Sequence, residues 1–231
     1  KLELGVGNEG LQIPKGLIQG QKLQLILREQ LLHVAGIEHF DDLPTPFRAV
    51  ASDIESGELH VMSGGDLALA VRASMSAPGI FAPVVVDGRT LVDGGLVGNV
   101  PVEVIRQMDV DVVIAVDVEF PLYSPEQLQS ALAITEQMLT ILIRKETLRQ
   151  LSGLGDDDIL IRPELGEYAS TNFGQIAEVI EPGRDATRSA ASRISQLSGS
   201  EVEYQSHLAN RSGRDYPAET IDFVRVVDVG P

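Results

Sequence analysis

The spacing of apolar positions predicts an alternation of helices and strands along most of the chain. From about Leu17 to Ala35, Leu23, Ile26, Leu27, Leu31 and Val34 recur at three- and four-residue steps. That is the spacing of one helix face, and Gly36 is placed to stop it. Asp41-Asp42-Leu43-Pro44-Thr45-Pro46 reads as a loop. Phe47 to Ala51 reads as a strand, turned at Ser56-Gly57 onto an antiparallel partner, Leu59 to Met62. Ser63-Gly64-Gly65-Asp66 then opens a helix through about Ser74, with Leu67, Ala70, Val71 and Ser74 as its inner stripe. Val84-Val85-Val86, Asp87-Gly88 and Arg89 to Val92 form a hairpin signal, because Asp-Gly favours the turns that match strand twist. Pro101 opens a short helix to about Met108. Val110 to Val118 is a nearly continuous apolar run, broken by Asp111 and Asp117 and β-branched at most positions, which predicts a central strand covered on both faces.

Ser124-Pro125-Glu126-Gln127 has the form of a capping box with proline at the first helical position. The helix it starts is expected to reach about Leu151, with Gly153 ending it. Asp156-Asp157-Asp158 reads as a solvated loop, and Ile159 to Ile161 as a short strand stopped by Pro163. Phe173 to Ile180 is expected to be a helical turn or two, interrupted at Pro182-Gly183, with a small-residue helix from about Arg184 to Leu197. Residues 1–16 are Gly-rich and read as irregular. Ser198 to Thr220 is polar and linker-like, and Ile221 to Val227 is strand material. The whole pattern is α/β.

Composition narrows the function classes. The 231 residues carry 18 Lys and Arg against 34 Asp and Glu, a formal charge of −16. So acidic a chain lacks the footprint of a nucleic-acid binder and any bulk attraction to anionic lipid. With no cysteine, disulfides, thiolate catalysis and Cys-based metal sites are excluded. No apolar run approaches the roughly 18 residues of a membrane span. The first residues, Lys1-Leu2-Glu3-Leu4-Gly5, have no initiator Met and read as mid-domain, so the chain is expected to be part of a longer polypeptide.

Few residues offer chemistry. His33, His39, His60 and His207 are not paired at i,i+4 or set near a carboxylate cluster, so neither a metal site nor a His-based triad is indicated. There is no G-x-S-x-G and no phosphate loop. Gly5, Gly7 and Gly10 have the spacing of a dinucleotide loop without its strand and helix. Asp156 to Asp158 lacks the alternating ligands of a calcium loop. No cofactor or metal is therefore expected. Two Asp-Gly pairs remain. Asp87-Gly88 needs only its hairpin. Asp93-Gly94-Gly95 follows a strand, where a carboxylate can serve an active site and glycines allow close approach, although spacing alone favours a plain turn.

At these residues the chain resembles the bacterial patatin-like phospholipases. The matching pieces are Ala51-Ser52-Asp53 with Gly57-Glu58, Arg72-Ala73-Ser74-Met75-Ser76-Ala77-Pro78-Gly79, Phe81-Ala82-Pro83, Leu91-Val92-Asp93-Gly94-Gly95 and Asn99-Val100-Pro101. Gly16 to Leu23 also fits, and Asn172 to Ala190 fits loosely. The resemblance implies a three-layer α/β/α sandwich and a Ser–Asp dyad that cleaves acyl esters of lipids, with Asp93 as the aspartate. It implies that Gly94 and Gly95 give clearance for the serine, and that Asn99 and Pro101 fix the following turn and helix. Ser74, Ser76 and Pro78 are read as structural parts of the motif. The family's G-x-S-x-G and its oxyanion loop lie N-terminal to everything matched here, and neither occurs in these residues.

The expectation is a lipid acyl hydrolase whose serine lies upstream or on a companion chain, acting on phospholipid or another acyl ester. The alternative is a non-catalytic scaffold that kept the fold. Residues 1–198 would be the C-terminal part of the lipase domain, 199–220 a linker and 221–231 the start of another module. Thr220 to Val227 resembles the first strand of a POTRA module, which implies the type V secreted, outer-membrane-linked branch; a cytoplasmic location is the alternative. Leu139, Ile141, Leu142 and Ile143 lie on more than one side of their helix, which suits burial, a homodimer face or membrane contact.

Overall fold

The computed structural model describes residues 5–7, 10–12, 20–119, 121–166 and 173–212. The first described elements are β1 (Gly5–Gly7) and β2 (Gly10–Gln12), an antiparallel pair where the glycines suggested irregular chain. Helix α1 (Gln21–Gln30) is shorter than its pattern. It tightens into a 3-10 turn at Leu32–Val34, and Val34 is its first buried residue. Strands β3 (Ala49–Asp53) and β4 (Leu59–Met62) pair antiparallel around the turn at Gly57. Helix α2 (Leu67–Ser74) follows, with the Asp66 carboxylate capping the Leu69 N–H at 3.0 Å. Strands β5 (Val84–Val86) and β6 (Arg89–Asp93) form the expected hairpin, with Asp87 and Gly88 both at positive φ. The four strands make one sheet in the order β4-β3-β6-β5.

Alternate residues Ala49 and Ala51 of β3 point into the main core with Met62, Leu91, Phe40, Leu43, Ala70 and Ala73. The buried residues of α2 are Ala68, Ala70, Arg72 and Ala73; of the predicted stripe, Ala70 is buried and Leu67 packs against the core, while Val71 and Ser74 are half-buried. The alanines let α2 close on β3, β5 and β6 while α1 covers its other side. Arg72 is buried within this layer: it donates to Ser76 Oγ at 2.6 Å and the Ala82 carbonyl at 3.2 Å, and lies 5.0 Å over the Phe81 ring.

Past Asp93 the chain forms α3 (Gly95–Gly98) and α4 (Val102–Arg106). Strand β7 (Ile114–Val116) pairs in parallel with β8 (Ile159–Ile161), and between them runs α5 (Ala131–Leu151), which packs on α3 and α4. The expectation of a central strand over 110–118 is corrected here. Among the described residues β7 has only β8 as a partner, and Ile114 and Val116 are 46% and 50% exposed. Helix α5 also starts later than predicted. Ser124 and Gln127 close one isolated turn, and Ser130 caps the helix through the Ala133 N–H at 3.1 Å. Asp158 is buried, not solvated.

Helix α6 (Ile180–Ser189) runs straight through Pro182-Gly183. Pro182 sits in the first turn, where a missing N–H costs no helical hydrogen bond. It is followed by α7 (Ala191–Ile194) and, in the stretch read as polar linker, by α8 (Glu201–Ser212). A capping box explains α8: Ser200 N–H donates to Glu203 Oε2 at 2.7 Å and Glu203 N–H to Ser200 Oγ at 3.3 Å. The POTRA-like stretch, Thr220 to Val227, lies outside the described residues, as do Pro14 and Gly16 to Gln19.

Candidate active site

Asp93 is the last residue of β6, and its main chain is fixed from two sides. Its N–H donates to the Ser76 carbonyl at 3.0 Å, and the Gly94 N–H reaches the Ser74 carbonyl at 3.4 Å. Its own carbonyl accepts from Ser52 Oγ of β3 at 2.7 Å. The A-S-x-S-x-P segment and the D-G-G segment, separated in sequence, thus meet at one strand end. The Ser76 side chain is fully buried, taking a hydrogen bond from Arg72 and donating to the Arg72 carbonyl at 2.8 Å. Pro78 begins a tight turn, with Gly79 at φ 83°, that walls the cavity beside Asp93.

The carboxyl of Asp93 has one oxygen held and one open. Oδ1 accepts the Gly95 N–H at 2.7 Å, which opens α3. Oδ2 has no hydrogen-bond partner among the described residues. Burial raises the proton affinity of this carboxyl above the ordinary value, and the Gly95 N–H opposes that in part. Gly94 is required by space: a Cβ there would sit 2.5 Å from the Val50 carbonyl oxygen. Asn99 ends α3 and donates to Thr147 Oγ1 of α5 at 3.0 Å, tying the helix after Asp93 to the cavity wall. The Pro101 carbonyl accepts from Val104 and Ile105 at the start of α4.

Asp93 opens into a cavity of about 250 Å³ with one apolar and one acidic side. Leu96, Ile80, Leu139 and Ile143 supply the apolar side; Asp117, Glu119 and Glu136 supply carboxylates. Arg144 pairs with Glu119, and Tyr123 Oη donates to Glu136 at 3.1 Å. Burial and the neighbouring Glu136 push the Tyr123 phenol upward. A larger groove of about 680 Å³ lies between β8 and α6, away from Asp93 and lined by exposed side chains such as Arg162, Glu181 and Arg193.

Asp117 was seen in the sequence only as a break in an apolar run. It is 1% exposed, directly after β7, and lines the same cavity. Oδ2 takes Arg162 Nε at 2.9 Å and Nη2 at 2.8 Å, and Oδ1 is buried without a partner among the described residues. A carboxylate interrupting β-branched strand material was the available signal. Tyr123, Glu136 and Thr147 gave none, because α5 brings them in through tertiary packing. Among the described residues no three His, Asp or Glu side chains are grouped to hold a metal ion.

Residues 3–106 match the family model described as patatin-like phospholipase. An uncharacterised NTE family protein of Mycobacterium tuberculosis is 36% identical over 101 residues, covering 44% of this chain and 27% of that protein. A second NTE family protein of the same organism is 30% identical over 175 residues, covering 67% of this chain and 30% of that protein. The patatin-like phospholipase domain-containing protein 7 of Mus musculus is 29% identical over 167 residues, covering 62% and 12%. The chain therefore spans less than a third of the length of each of these relatives. Residues 3–106, which include Asp93, are thus similar to the patatin-like phospholipases, and the described helices and strands are consistent with a patatin-type α/β sandwich.

Proposed function

We propose that this chain is the aspartate-bearing part of a lipid acyl hydrolase of phospholipase A or esterase type, with Asp93 as the base of a Ser–Asp dyad. The observation that carries this reading is the Asp93 carboxyl itself. One oxygen is fixed by Gly95, the other is open to a cavity with an apolar wall, and burial makes the group a stronger base than an ordinary carboxylate. In the first step Asp93 takes the proton of a serine Oγ as that oxygen bonds to the ester carbonyl carbon. The proton then passes to the leaving alkoxide as the ester C–O bond breaks. Water repeats the sequence on the acyl-serine, freeing the fatty acid and restoring both groups.

The serine comes from a segment outside these 231 residues, which contain no G-x-S-x-G. The form of β7 supports such a companion. Parallel strands are ordinarily covered, whereas Ile114, Val116 and Val118 are exposed here. A groove of about 440 Å³ along Ile114 and Val116 includes Asn99, which also lines the Asp93 cavity.

The test uses the longer protein, or this chain with its companion. A fluorophosphonate probe should give one adduct, on a serine outside these residues. Asp93→Asn should lower phospholipid hydrolysis by roughly 10²–10⁴-fold with an unchanged circular dichroism spectrum. Unchanged turnover removes Asp93 from the chemistry. Lipid binding without turnover in the parent protein favours the scaffold reading.

A further inference from the structure

Helix α5 has two apolar faces, and among the described residues only one is packed against the fold. Leu139 and Ile143 face the Asp93 cavity, with Thr147 and Gln150 buried on the same side. On the opposite side Ile134, Met138, Ile141, Leu142 and Leu148 are each about half exposed. At 100° per residue these five fall within a stripe roughly 120° wide, and at 1.5 Å per residue it is about 21 Å long. Lys145 stands near its middle, with no ion pair among the described residues, and Arg144 and Arg149 lie at its borders. The acidic residues of the helix, Glu136 and Glu146, are on the more buried side. The stripe also runs into the cavity mouth, because Leu148 is exposed on the stripe and lines the cavity at once.

We propose that the outer face of α5 seats the protein on a phospholipid surface, with the mouth of the Asp93 cavity at the edge of the contact. The choice of partner rests on the lipid-hydrolase reading; the features of the face support it independently. The stripe carries no acidic side chain, and lysine or arginine in and beside it can lay their stems along lipid while their charged ends reach the headgroups, which suits a membrane interface. A second copy of the chain is a poorer occupant: a stable protein interface takes roughly 20–30 residues a side, and the stripe offers five. No described helix is long and apolar enough to cross a membrane, so α5 lies on the surface. The chain's charge of −16 disfavours strongly anionic lipid, so a zwitterionic surface is the preferred one.

The 231-residue chain is incubated with phosphatidylcholine vesicles and sedimented. The parent should pellet with the vesicles, and Met138→Glu/Leu142→Glu should bind about tenfold more weakly or worse. Val202→Glu/Tyr204→Glu, on the exposed apolar residues of α8, should bind as the parent does. The Asp93→Asn chain should also bind as the parent does, which separates this proposal from the hydrolase reading. A parent that stays in the supernatant at saturating lipid overturns the proposal, as does equal binding by the α5 variant. Equal loss in the α8 variant makes the effect one of added charge and overturns it too. A dimer that the α5 substitutions dissociate, without vesicle binding, assigns the face to a second copy instead.

Discussion

A methyl group on Gly94 would lie 2.5 Å from the Val50 carbonyl oxygen, whereas one on Gly95 would lie 3.0 Å from Asp93 Oδ1 and 3.3 Å from Asn99 Oδ1. The first obstacle is backbone in the sheet and the second is side-chain ends. Gly94→Ala should therefore lose about 1–3 kcal/mol of stability, read by thermal or denaturant unfolding. Gly95→Ala should unfold close to the parent, since alanine also favours the helix it would enter, yet displace the carboxyl and lower hydrolysis in the complete enzyme. Asp93 adds a pH signature. Its folded proton affinity is raised by burial, so its favourable contribution is present when protonated and is lost as pH rises through the folded pKa. Asp93→Asn should thus be more stable than the parent at pH 8, with the gap closing towards pH 4. A variant less stable at pH 8 removes burial as the cause.

At the scale of elements, the sequence was most legible where a signal was local. The β5–β6 hairpin needed only Asp87-Gly88, and Asp93 was placed at a strand end by the strand before it. Local chemistry misled where two signals competed. Ser124 and Ser130 can both cap a helix, and packing of α5 on α3 favours the second. The Asp156 to Asp158 run looked solvated because nothing local shows that Asp158 turns inward to join distant elements. Its carboxylate accepts the Val113 N–H at 2.8 Å and the Gly155 N–H at 2.7 Å, and pairs with Arg106 of α4. These donors, the Val113 amide foremost, hold its pKa below the ordinary 3.8. The stability this gives is present above the unfolded pKa and lost as pH falls through the folded one. Asp158→Asn should cost about 1–3 kcal/mol at pH 7 and flatten the acid side of the stability profile. An unchanged acid limb in urea unfolding from pH 6 to pH 2 argues against this carboxylate as its source.

At the scale of the whole molecule, the run from Val110 to Val118 indicated a central strand covered on both faces, whereas among the described residues only Ile114–Val116 forms a strand, paired on one side with β8 and with Ile114 and Val116 exposed. Periodicity shows that a strand is apolar on both faces but not what lies against it. The pairing of β7 with β8 can be followed residue by residue: Ile159 N–H donates to the Val113 carbonyl and Asp117 N–H to the Ile161 carbonyl, both at 2.9 Å. In a parallel ladder the residues between alternate in direction, so the N–H groups of Ile114 and Val116 point away from β8. An open edge of this kind invites another strand, and Asn99 lies where the groove beside it meets the Asp93 cavity. Hydrogen exchange of the 231-residue chain should therefore be fast at the Ile114 and Val116 amides and slow at Ala115 and Asp117. When the serine-bearing segment is present, Ile114 and Val116 should become as slow as their neighbours, together with the gain of probe labelling. Exchange at those two amides that stays fast in a labelled, active protein would place the serine segment elsewhere and leave β7 a true edge.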